Sequence, residues 1–154
     1  KKLIRFGGED RKAIFELSEI PKEHLDIFNK VTNPLSAKPG HYLVLNYWPL
    51  IPKTNTIYLE KENIIGLEFF EDPTDDIIGV PRIGKKETLP PRISIIRLGL
   101  GFSEVIRRRR PQILALPPGT IIHLRKTFDT IKSEIPEAYV RLLKAGYASL
   151  LKLD

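Results

Sequence analysis

Short apolar segments, each cut off by proline or glycine, decide what this chain of 154 residues can fold into. Both residues punctuate turns, so the pattern predicts short strands and helices joined by loops. KAIFEL (12–17) suits a strand. Ser18 then offers a hydroxyl near the start of PKEHLDIFNKV, and Pro21 fits a first helical turn, where its missing N–H costs nothing. Leu25 with Phe28, and Ile27 with Val31, repeat at helical spacing, so one stripe is expected to face a core. HYLVLNYWPL (41–50) reads as an apolar strand ended by Pro49 and Pro52.

Further along, TIYLE (56–60) and IIGLEFFE (64–71) read as a hairpin about Lys61–Asn63. From Asp72 to Pro91 no period survives among four prolines, two glycines and many charges, which predicts a long loop over 72–91. RISIIRL (92–98) restores strand character, GLGF (99–102) breaks it, SEVIRRRRPQILAL resumes it, and TIIHLR (120–125) follows as a β-branched strand. PEAYVRLLKAG (136–146) predicts a helix with Pro136 at its start and Gly146 as its stop, and YASLLKL (147–153) a closing strand. Strand–helix–strand, inserted strands, helix and strand make an α+β domain, with both helices expected on one face of the sheet.

A hydrophobic share of 42% gives such a domain a core without staples. There is no cysteine, which excludes disulfide frameworks, thiolate zinc sites and thiol catalysis. The apolar runs fall short of the roughly 20 residues a membrane helix needs. Arg5, Glu9 and Asp10 interrupt any signal-like stretch, so a soluble, cytoplasmic protein without a membrane partner is expected. With no methionine even at position 1, the chain is expected to be trimmed or to be a piece of a longer one. One glutamine against many Lys and Glu residues resembles a thermophile's composition.

Charge is unevenly laid out. Arg82 to Arg110 holds nine basic residues and two acids, a local +7, so the whole-chain +6 leaves −1 for everything else. Glu60 to Asp76 holds seven acids and one lysine. Internal pairing across the two blocks is the plain alternative, but exposed pairs stabilise by only about 0–1 kcal/mol each. A polyanion is the more economical partner for Arg107, Arg108, Arg109 and Arg110, because each phosphate neutralised releases counterions and arginine's planar fork suits phosphate. If extended, the run would turn Arg107 and Arg109 one way and Arg108 and Arg110 the other. A solvated edge strand protected by charge is the competing account.

Gly99 and Gly101 precede the arginines and would let backbone amides approach a phosphate, while Phe102 has a ring for stacking on a base. Asp72, Asp75 and Asp76 miss the spacing of a calcium loop and read as surface, and no metal or cofactor is expected. His24, His41 and His123 show no metal-binding spacing, though a histidine near RNA has the chemistry of a general base.

Four stretches in one order then point to a family: FGGEDRKAIFEL (6–17), PGHYLVLNYWPL (39–50), LGLGFSEVIRRRRPQILALPPGTIIHL (98–124) and AGYASLLKL (145–153). Together they resemble the C-terminal half of the third subunit, a RAMP protein, of type III-B (Cmr) CRISPR complexes. Gly7-Gly8-Glu9, Arg110-Pro111, Pro118-Gly119-Thr120 and Gly146-Tyr147 look like the family's glycine, hairpin and closing-strand positions. The final loop reads Gly-Tyr-Ala where the family often has a second glycine.

The resemblance implies one ferredoxin-like RAMP domain over 1–154 with inserted hairpins, half of a two-domain subunit. It implies a non-catalytic role in antiviral defence: holding the 5′ tag of a single-stranded guide RNA and bridging the large polymerase/cyclase-like subunit to the backbone RAMP subunits. Arg82, Lys85, Lys86, Arg92 and Arg107 to Arg110 would meet phosphates, with Gly99, Gly101 and Phe102 shaping the approach. The alternatives are a metal-independent endoribonuclease using His41 or His123, and a pure protein scaffold.

Overall fold

The computed structural model describes residues 2–5, 12–15, 19, 21–53, 61–83, 88–99, 102–103, 107–109 and 112–153. Strands β1 (Lys2–Arg5) and β2 (Lys12–Phe15) pair with each other. Helix α1 (Lys22–Asn29) follows, then β3 (Val31–Thr32), β4 (Gly40–Val44), β5 (Trp48–Pro52) and β6 (Ile64–Ile65). The one-turn α2 (Pro73–Asp76) leads into β7 (Ile77–Ile83) and β8 (Thr88–Arg92). Next come β9 (Ile96–Gly99), β10 (Phe102–Ser103), β11 (Arg108–Arg109), β12 (Gln112–Leu116) and β13 (Ile121–Leu124). Helices α3 (Phe128–Ile131) and α4 (Glu137–Lys144) precede the closing β14 (Leu150–Lys152).

The chain is α+β with two main antiparallel sheets, ordered β3-β14-β4-β13-β7-β8 and β6-β5-β12-β9. Within the first, the run β14-β4-β13-β7 has a definite connectivity. β4 reaches β7 with β13 between them, and β13 reaches β14 with β4 between them. That double split crossover is compatible with a ferredoxin-like fold.

Alternation along the strands sets the core. Tyr42 and Val44 of β4, Ile122 and Leu124 of β13, Ile77 of β7 and Leu150 of β14 are buried. They join Trp48, Leu50, Ile64 and Leu116 of the second sheet in one cluster. Helix α4 contributes Tyr139 and Leu143. The Tyr139 hydroxyl, fully buried, donates to the Pro49 carbonyl at 2.8 Å, and Trp48 Nε1 donates to the Gly66 carbonyl at 2.9 Å. Gly66 has φ 106, and a Cβ there would meet the Pro49 carbonyl and the Tyr139 hydroxyl, so only glycine fits the crossing.

Several expectations need correction. Residues 41–50 are two strands in two sheets, because Leu45–Tyr47 form a corner that Asn46 pins by donating to the Gly146 carbonyl at 2.9 Å. Pro49 lies inside β5, and Pro52 is its last residue. Residues 64–71 do not form a hairpin strand: only Ile64–Ile65 pair, with β5, and the next residues turn inward to bury Phe69 and Phe70. TIYLE (56–60) lies outside the described residues.

The expected loop over 72–91 is a capped turn and a hairpin. Asp72 accepts from the Thr74 amide at 2.9 Å and caps α2. β7 and β8 escape the sequence pattern because their prolines sit where a sheet tolerates them: Pro81 at a register irregularity, Pro90 and Pro91 in an edge strand. RISIIRL divides likewise, with 93–95 outside any strand. Of the expected helix stripe, Leu25 is 41% exposed and Val31 has left the helix for β3, while the side chains of Ile27 and Phe28 lie outside the described residues. Pro118-Gly119-Thr120 joins β12 and β13, which belong to different sheets, so it is a crossing and not a hairpin turn.

Candidate nucleic-acid interface

Two hairpins bear the basic segment. The first is β7–β8, where Arg82 stands opposite Leu89 and Arg92 opposite Val80. Both arginines are exposed, and Arg82 Nε donates to the Pro90 carbonyl at 3.0 Å across the hairpin. Gly79 permits this pairing: it has φ 105, and a Cβ would lie 2.7 Å from the Arg92 carbonyl carbon.

The second hairpin grows out of the four-stranded sheet. β9 pairs with β12 so that Gly99 faces Gln112, and β10 pairs with β11 so that Phe102 faces Arg109 and Ser103 faces Arg108. Moving three residues forward from Gly99 and three back from Gln112 reaches the Phe102–Arg109 pair, so both ladders keep one register. Arg107, Arg108 and Arg109 therefore lie on an arm that carries the β9–β12 pairing on beyond Gly99 and Gln112. Arg107 is exposed at its turn with φ 48, a left-handed conformation that a non-glycine residue adopts at a cost. Arg107 thus departs from the simple alternation expected for four extended arginines, while Arg108 and Arg109 are in the strand.

Gly99 is exposed, with open space where a Cβ would point. No described residue requires glycine there. Lys85, Lys86, Gly101, Arg110 and the Gly7-Gly8-Glu9 stretch lie outside the described residues.

The histidines and acids form a cluster that sequence reasoning missed. His41 and His123 stand opposite each other on β4 and β13, their rings stacked at 4.3 Å and 15°. His123 Nδ1 lies 3.7 Å from Asp76 Oδ1. Asp76 is 1% exposed; Arg125 Nε donates to its Oδ1 at 2.9 Å, and the Glu71 and Asp72 amides donate to Oδ2 at 2.8 and 3.1 Å. Burial pushes its pKa up, but the Arg125 bond and the two amide bonds outweigh that and hold it below the ordinary 3.8. Asp72 is also lowered, chiefly by the Thr74 hydroxyl bond. Asp76 thus serves as an anchor, and reading DPTDD as a surface loop is corrected. The only sequence signal was the β-branched Ile77-Ile78 that follows.

Comparison with known protein families gives no match, and none of the curated proteins matches. Among solved structures, the chain is similar to a chain of the type III-B Cmr-beta complex bound to cognate target RNA, seen by cryo-EM. The TM-score is 0.55 at 21% identity, with 99% of this chain covered. What the two share is the fold. The match spans 38% of the longer chain's length. Among the described residues no helix is long and apolar enough to cross a membrane.

Proposed function

We propose that this chain is a non-catalytic RNA-binding RAMP domain of a type III-B CRISPR ribonucleoprotein. In this reading it holds the 5′ tag of the guide RNA and bridges the large subunit to the backbone subunits. The observation that carries it is the arginine-bearing arm, on a fold matched over nearly the whole chain by a subunit of an RNA-bound Cmr-beta complex. Single-stranded RNA suits such an arm, because an unpaired strand can follow a narrow basic ridge and offer its bases for stacking. Arg107 to Arg110 neutralise phosphates, Arg82 and Arg92 extend the basic surface along the neighbouring hairpin, and Gly99 leaves backbone open to close approach.

A short single-stranded RNA with the repeat-derived tag, titrated beside a scrambled control across a salt series, tests the reading. The wild-type chain is expected to prefer the tag. Changing Arg107 to Arg110 to alanine should weaken binding more than about tenfold and flatten the salt slope by about 2–3, at roughly 0.7 for each phosphate left without its arginine. Equal weak binding by both proteins would move the arginines to a protein interface and overturn the reading. The same mixtures resolved on a gel examine the absence of catalysis. RNA cleavage that disappears in His41→Ala/His123→Ala while binding persists would make the chain a ribonuclease instead.

A further inference from the structure

Lys30 and Lys38, eight residues apart, meet Lys152 from the far end of the sequence at one pocket. Lys30 follows α1, Lys38 follows the turn that begins at Asn33, and Lys152 belongs to β14. Edge pairing brings the outer two together: Leu151 stands opposite Val31, and the Lys152 amide donates to the Lys30 carbonyl at 3.2 Å. The Tyr42 hydroxyl fixes the third by donating to the Lys38 carbonyl at 2.7 Å. Between them the Thr32 and Ser36 hydroxyls lie 3.0 Å apart, and the cavity measures about 250 Å³.

No described carboxylate lines this cavity, and none of the three lysines forms an ion pair with a described residue. Three like charges around one small volume repel each other, and an anion in their midst reverses the sign of that interaction. The donor set also discriminates between anions. Ammonium groups, each with three N–H donors, are point charges that suit the several oxygens of a tetrahedral oxyanion. The guanidinium forks that favour a flat carboxylate are missing here.

We propose that the pocket of Lys30, Lys38 and Lys152 is a phosphate-binding site. Its ligand is a phosphoryl group, from the backbone of a nucleic-acid strand or from a free mononucleotide. The site is independent of the arginine arm: it stands on other strands and uses other chemistry.

The test compares the full chain with Lys30→Gln/Lys38→Gln/Lys152→Gln, which keeps a polar side chain one atom shorter and removes the charge. Each is titrated with inorganic phosphate, with UMP and with a twelve-nucleotide oligouridylate, and circular dichroism melts confirm equal folding. Lys38→Glu, a single charge reversal, gives a second handle. UMP and phosphate are expected to bind the triple variant at least about tenfold more weakly than wild type. If a strand is the ligand, oligouridylate binding falls too, and its salt slope flattens by about 0.7 for each phosphate released. If a mononucleotide is the ligand, UMP binding falls while oligouridylate binding holds. Both results support the site. Unchanged titrations of all three probes would overturn it, as would polyglutamate of equal charge displacing phosphate better than oligouridylate does. Repeating the titrations with Arg107 to Arg110 changed to alanine separates the two readings, since the lysine effect should persist there whether or not the arm binds RNA.

Discussion

The two crossovers of the six-stranded sheet are built differently. From β13 to β14 the chain goes over α3 and α4, and α4 buries Tyr139 and Leu143 against the core. From β4 to β7 it passes through β5, β6 and the single turn α2, with no full helix among the described residues. Strands leave backbone edges that a helix would satisfy internally, so β5 must find partners, and it pairs with β6 on one side and β12 on the other. β12 brings β9, and the β9–β12 ladder continues in register toward the arginines. Replacing a helix with strands in one crossover is thus what gives the molecule its arm.

If that exchange holds, the first crossover must bury large side chains in the shared core, and truncating the largest of them should be the largest effect. Trp48 is fully buried, with its ring 5.4 Å from both Phe69 (edge-on) and Phe70. Trp48→Ala is expected to cost about 3–5 kcal/mol, by analogy with other buried aromatic truncations. Leu143→Ala in the helical crossover should cost about 2–5 kcal/mol. Urea denaturation measures both. A loss below about 1 kcal/mol for Trp48→Ala would mean the strand-built crossover is not a core element, and the comparison would break.

A smaller effect is expected where the two crossovers are tied together. Asp76 ends α2 in the first, and Arg125 opens the second just after β13. Asp76→Ala strands the Glu71 and Asp72 amides and is expected to cost about 1–3 kcal/mol, or a few degrees in melting temperature for a chain of this size. The sign with pH follows from the lowered carboxylate. Its contribution is fully present above the ordinary 3.8 and is lost as pH falls through the lower value it holds in the folded chain. Asp76→Asn should flatten stability against pH across that acid range. A wild-type melting temperature that stays level down to about pH 2 would remove the tie.

The same asymmetry explains what the sequence made legible. Apart from the one-turn α3, the second crossover could be read, from the strand at 121–124 through the helix opened by Pro136 to the closing strand after Gly146, because each of these elements follows its own period and has its own stop signal. The first could not. Its strands are two to seven residues long, prolines stand within β5 and at the β7 irregularity, and Asp72 and Asp76 look like loop residues until their partners are known. Charge behaved in the same way. The arginine run is contiguous and stands out, whereas Lys30, Lys38 and Lys152 are scattered through a background of −1 and meet only because β3 pairs with β14.

The smallest expected effect concerns the one place where the well-read crossover departs from the family it resembles. Ala148 occupies the closing loop where a second glycine is common in that family, and it holds φ 55 while fully buried. The left-handed conformation costs an L-residue about 1–2 kcal/mol, and glycine's extra unfolded-state entropy costs about 0.5–1 kcal/mol. The Ala148 amide donates to the Tyr47 carbonyl at 2.9 Å, a backbone bond that either residue makes, so the loop keeps its path. Ala148→Gly should therefore stabilise the chain by about 0.5 kcal/mol, the surplus of relieved strain over lost entropy. A loss of about 1 kcal/mol or more in urea denaturation would mean that the packing of the buried methyl outweighs the strain. The alanine would then be an adaptation of this core.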